Sequence, residues 1–74
     1  QGIITVAYGR GSDNLKRLLK RLFMAGVLSE QDLITILENE VNRVEKRWNG
    51  KLLLIEIRGS EVWIKGPREL LNSS

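Results

Sequence analysis

The chain has no cysteine and no histidine, a single proline, and only 5% aromatic residues in a length of 74. Each absence excludes chemistry. Without cysteine there are no disulfides, no thiolate zinc sites and no thiol nucleophiles. Without histidine there is no Ser-His-Asp catalysis, and the commonest metal ligand is missing. No apolar run approaches the ~18 residues that a membrane span needs. The lack of cysteine fits a reducing interior, so a cytoplasmic protein is expected. No signal peptide is visible, and the sequence opens at Gln1 rather than Met.

What is present is a globular composition, with 42% hydrophobic and 28% charged residues. The length allows one small domain and excludes a two-domain enzyme. A domain of this size buries only ~60% of the surface of its unfolded chain, so it needs a good core or a partner copy. A homodimer is therefore expected.

The segment 1–9 reads as a strand, because Ile3, Ile4, Thr5, Val6, Ala7 and Tyr8 are β-branched, small or aromatic residues between glycines. Ile4, Val6 and Tyr8 share one face. Ser12 or Asp13 then caps a helix over 12–26. Leu15, Leu18, Leu19 and Leu22 form its apolar stripe, and Gly26 stops it. Ser29 with Asp32 is a capping box for a second helix. Leu33, Leu37, Val41, Val44 and Trp48 follow at steps of four, four, three and four, which predicts one helix over 29–49. Nothing between Ser29 and Trp48 is Gly or Pro, and a break near Asn39 is not demanded.

The remainder reads as a hairpin over 51–66 and a tail over 67–74. Gly59-Ser60 suits a type II′ turn. That turn sets Ile57 opposite Val62 and Ile55 opposite Ile64 on one face. It sets Arg58 opposite Glu61, Glu56 opposite Trp63 and Leu54 opposite Lys65 on the other. The expected fold class is α+β: a strand-helix-helix-strand-strand domain with two helices packed on a short antiparallel sheet.

The charge is polarised along the chain. The net charge is +3, but the stretch 10–21 carries five bases and one acid, while 22–47 carries three bases and five acids. Lys16, Arg17, Lys20 and Arg21 lie opposite the leucine stripe, with Arg10 just before them. An unopposed basic face suits phosphate, whose counterions it releases. It also suits a solvated helix face. Arg43, Lys46 and Arg47 are expected at the end of the second helix, where they would add contacts near a DNA groove, although Glu38, Glu40 and Glu45 are interleaved with them.

Leu52, Leu54 and Trp63 fall on the outer face of the hairpin and predict an interface for a second copy or a protein partner. Gly9-Arg10-Gly11 lacks the third glycine of a phosphate-binding loop, and Asp13 would repel an anion there, so the glycines read as turn formers. No nucleophile with a base, no placeable acid pair and no metal cluster is visible. The expectation is a non-catalytic protein with no cofactor, which binds nucleic acid as a DNA-binding regulatory or architectural protein. An adaptor that binds another protein is the alternative.

Residues 19–71, about two thirds of the chain, carry a resemblance. Leu22-Phe23-Met24-Ala25-Gly26 is followed by Leu28-Ser29-Glu30-Gln31-Asp32-Leu33. Val41, Val44 and Trp48 then precede 53–57, Val62-Trp63-Ile64 and Pro67-Arg68-Glu69. This pattern resembles the winged-helix modules of the ScpB segregation-and-condensation proteins. The resemblance implies either DNA binding or an adaptor role in a chromosome-organising complex. The leading strand is extra to that family, and members carry two modules where this chain has room for one. A ribbon-helix-helix dimer would also begin with a strand and two helices. It would lack the hairpin, and the opening strand here lacks the basic or polar readers it would need.

Overall fold

A computed structural model describes residues 2–38 and 40–72. The elements in chain order are β1 (Ile3–Gly9), α1 (Asp13–Met24), α2 (Glu30–Leu37), β2 (Arg43–Trp48), β3 (Lys51–Arg58), β4 (Glu61–Pro67) and a short α3 (Arg68–Leu71). The four strands form one antiparallel sheet in the order β1-β4-β3-β2. The fold class is the expected α+β. No described helix is long and apolar enough to cross a membrane.

Alternation along the strands separates two sheet faces. Leu53, Ile55, Ile57, Val62 and Ile64 point to one side and are buried against Leu15, Leu18, Leu19 and Leu22 of α1, Ile36 of α2, and Leu70 and Leu71 of α3. Ile4, Val6 and Tyr8 of β1 lie on the same side but are only partly buried. The β3–β4 register is the expected one, with Ile57 opposite Val62, Ile55 opposite Ile64 and Glu56 opposite Trp63. Gly59 has φ 60 and Ser60 is not left-handed, as a type II′ turn requires.

Helix ends follow their capping chemistry. The Ser12 hydroxyl accepts from the Leu15 N–H at 3.1 Å. At the other end of α1, Val27 donates to the Leu22 carbonyl and Gly26 to the Phe23 carbonyl, the paired bonds of a Schellman motif. The capping box of α2 is complete. The Ser29 N–H donates to Asp32 Oδ2 at 2.8 Å, and the Asp32 N–H donates to Ser29 Oγ at 3.1 Å.

The single helix expected over 29–49 is corrected. It is α2, which ends at Leu37, followed by the strand β2. Asn39, where a break was considered, lies outside the described residues. The error comes from spacing. Val44 and Trp48 are four apart, so they share a face in a helix and also in a strand. The intervening residues decide. Val44, Lys46 and Trp48 are half-buried and alternate with exposed Arg43, Glu45 and Arg47. Asn49 and Gly50 both have positive φ, 51 and 77, the signature of a type I′ hairpin turn. Asn49-Gly50, at the end of the helix expected over 29–49, therefore closes the β2–β3 hairpin, with Trp48 opposite Lys51. β2 also satisfies the open edge of β3, whose buried residues need neighbours on both sides.

Asp32 joins this new strand to α2. Its Oδ2 lies 2.8 Å from Lys46 Nζ, across the packed side of the sheet. Burial opposes ionisation of Asp32. The hydrogen bonds from Lys46 and from the backbone and hydroxyl of Ser29 outweigh it and hold the carboxyl below its usual range. A depressed carboxylate contributes stability that is present above its unfolded value and lost as pH falls through the folded one. Asp32→Ala removes the charge-assisted bonds from the Ser29 N–H and Lys46 and is expected to cost about 1–3 kcal/mol at neutral pH. Thermal melts of both proteins should converge as pH drops below 3.8, the ordinary value for this group. A gap that persists unchanged at lower pH would exclude this role.

Candidate nucleic-acid interface

α1 is amphipathic because its leucines recur at helical spacing, which leaves the opposite face to cations. Lys16, Arg17 and Lys20 are exposed on it. Among the described residues, Lys16 and Lys20 have no ion-pair partner. Among the described residues, the Arg17 guanidinium donates only to the Asn14 side chain, at 3.0 Å. Arg21 is half-buried and its Nη2 donates to the Leu70 carbonyl at 2.9 Å, so it ties α1 to α3. Arg10 is half-buried in the β1–α1 turn, with its backbone N–H donating to the Ser60 carbonyl at 2.9 Å. Residues 16 to 21 span about 8 Å of helix axis, so these charges form one compact cluster.

The three cations expected to extend this cluster do not do so. They lie on β2, not on a helix. Lys46 points to the packed side of the sheet and is committed to Asp32. Arg43 lies on the outer face and pairs with Glu45 at 2.8 Å. Arg47 is also on the outer face and donates to the Gly50 carbonyl at 3.3 Å. α1 packs against the inner face, so the sheet separates it from Arg43 and Arg47. The physical reason is the change of period. A helix would have gathered residues 43, 46 and 47 on one side, whereas a strand sends 46 to the face opposite 43 and 47.

No family model, no curated protein and no solved structure matches this chain.

The outer sheet face is left open by the described helices. Leu52 and Leu54 lie on it, and Trp63 sits at its centre between Ala7 and Glu56. The Arg58 guanidinium stacks over the Trp63 ring at 4.8 Å, while Trp63 Nε1 donates to Glu61 at 3.2 Å. Arg58 also donates to Glu56 at 2.7 Å. Leu54, Trp63 and Arg58 line a shallow depression with Thr5, Glu56 and Lys65. Sequence reasoning placed Trp63 here but missed Arg58 as its partner. The signal was available: Arg58 is two residues along from the position opposite Trp63, the diagonal that long side chains span in a twisted sheet. This face carries Arg43, Arg47, Arg58 and Lys65 against Glu45, Glu56 and Glu61, so it is close to neutral. The charge asymmetry of the molecule therefore rests on α1. Among the described residues, no cluster of acidic side chains could hold a metal ion.

Proposed function

We propose that this protein is a non-catalytic nucleic-acid-binding protein that holds DNA phosphates through α1, in a regulatory or architectural role. The observation that supports this best is the exposed cluster of Lys16, Arg17 and Lys20, none of which forms an ion pair among the described residues. Like charges at i,i+4 cost a few tenths of a kcal/mol, and α1 bears that cost twice, at 16/20 and 17/21. Contacts of this kind position a protein on the duplex without reading its bases.

The test is fluorescence anisotropy with a labelled duplex across several salt concentrations. Three phosphate contacts give a slope of log K against log salt of about −3. Lys16→Glu with Lys20→Glu should remove two contacts, bring the slope to about −1, and abolish measurable binding at physiological salt. Absent binding at low salt, or an unchanged slope in the variant, would refute the reading.

The open outer face supports a second reading, an adaptor that docks another protein over Leu52, Leu54 and Trp63. Leu52 is 39% exposed, and no described element covers it. Failure of the duplex titration together with retention of a specific protein partner would favour this reading.

A further inference from the structure

The two edges of the sheet are unlike. β2, at one edge, carries Arg43, Glu45, Lys46 and Arg47 among its six residues. Charged side chains blunt an edge against pairing with another chain. β1, at the other edge, is seven residues long and contains no charge and no proline. Among the described residues, no strand pairs with its outer edge. A long, uncharged strand of Ile, Val, Thr and Tyr with one open edge is what another strand adds to.

Backbone parity identifies the free groups. The Arg10 N–H donates to Ser60 and the Gly2 carbonyl accepts from Arg68, both toward β4. Residues of even number in β1 therefore bond to β4. Ile3, Thr5 and Ala7 direct their N–H and C=O groups to the open edge. The inward side chains Ile4, Val6 and Tyr8 remain half-buried, whereas their neighbours Val62 and Ile64 on β4 are fully buried. The core is thus unfinished along the same edge where the ladder is unfinished.

We propose that β1 pairs antiparallel with β1 of a second copy, about a two-fold axis at Val6, to give one eight-stranded sheet. This register sets Thr5 of each copy opposite Ala7 of the other as a hydrogen-bonded pair. It sets Val6 against Val6 and Ile4 against Tyr8 on the inner face. Every residue meets a neutral partner, and the even parity needed for the ladder is met. A second copy of β1 is favoured over β2 of another molecule because β2 presents four charged residues, whereas β1–β1 pairing is two-fold and closes on itself. The pairing keeps both inner faces on one side, so the two α1 helices share a single surface. The proposal does not depend on nucleic-acid binding, and it uses a different surface from Leu52, Leu54 and Trp63.

The test combines light scattering from micromolar to millimolar concentration, at physiological ionic strength so that the α1 cations are screened, with amide hydrogen exchange. A dimer is expected in which the Thr5 and Ala7 amides are protected along with those of Val6 and Tyr8. Thr5→Pro removes an N–H that only the partner would use, and proline is tolerated at a free edge. It should give a folded monomer by circular dichroism, with fast exchange at Ala7. Should that variant fail to fold, Ala7→Lys serves the same purpose by placing like charges on both sides of the axis. A monomer at all concentrations overturns the proposal. So does an assembly larger than two, or a dimer whose Thr5 and Ala7 amides exchange freely.

Discussion

Leu22→Ala is expected to lower the melting temperature of this domain by about 10–30 °C. The side chain lies in the last turn of α1, is 0% exposed, and belongs to the cluster that joins both main helices to the sheet. Truncating a buried leucine costs about 2–5 kcal/mol, because the transfer free energy is lost and the cavity does not fully collapse. A domain of this size has a total stability of roughly 4–11 kcal/mol. Each kcal/mol moves the midpoint by about 4–8 °C. The contrast with Lys16→Glu plus Lys20→Glu is informative, since those residues are on the same helix. The charge variant exchanges one like-charge pair at 16/20 for another and removes no packing, so its midpoint should stay within a few degrees of the wild type. Melts of the two variants, followed by circular dichroism, separate the two jobs of α1. Equal destabilisation would mean that the basic face is structural.

The contrast between the two halves of the chain explains how much was legible in the sequence. Elements whose evidence is local were read correctly. The α1 stripe, the Ser12 cap and the Ser29–Asp32 box each depend on residues within four positions of one another. The β3–β4 register was legible because a wrong pairing would have split the apolar residues between faces. β2 was not legible by the same route. Its apolar residues are spaced four apart, which satisfies both periods, and no proline or glycine interrupts the run. Only Asn49-Gly50 distinguished the alternatives, and that dipeptide both ends helices and turns hairpins. The cost of the error fell on the site. As a helix, 43–48 would gather Arg43, Lys46 and Arg47 beside the basic surface; as a strand they divide between two faces. The open edge of β1 was hidden for another reason. Which strand lies at an edge depends on the order β1-β4-β3-β2, a long-range property that no segment carries alone.

Gly66→Val should cost about 1–3 kcal/mol, which urea denaturation would show as a lower midpoint with an unchanged slope. Gly66 lies on the inner face of β4, opposite Ile4 of β1. Its neighbour on the other side is Leu53 of β3. A β-carbon at this position would sit 2.7 Å from Leu53 Cδ1 and 3.6 Å from the Leu52 carbonyl oxygen. Leu53 is 0% exposed, so its methyl has no solvent to move into. Glycine in a strand is ordinarily a loss of about 0.5–1 kcal/mol relative to alanine, and here the missing side chain is the space that Leu53 fills. The coupling is testable. Leu53→Ala alone opens a cavity, and combining it with Gly66→Val should refill part of it. The double variant should therefore be more stable than the sum of the single costs predicts, by about 0.5–3 kcal/mol. Strict additivity would place the strain elsewhere. Gly66 is also the partner of Ile4 in the β1–β4 ladder. A β4 strand pushed away from Leu53 should therefore speed amide exchange at Ile4, next to the edge on which the proposed dimer depends.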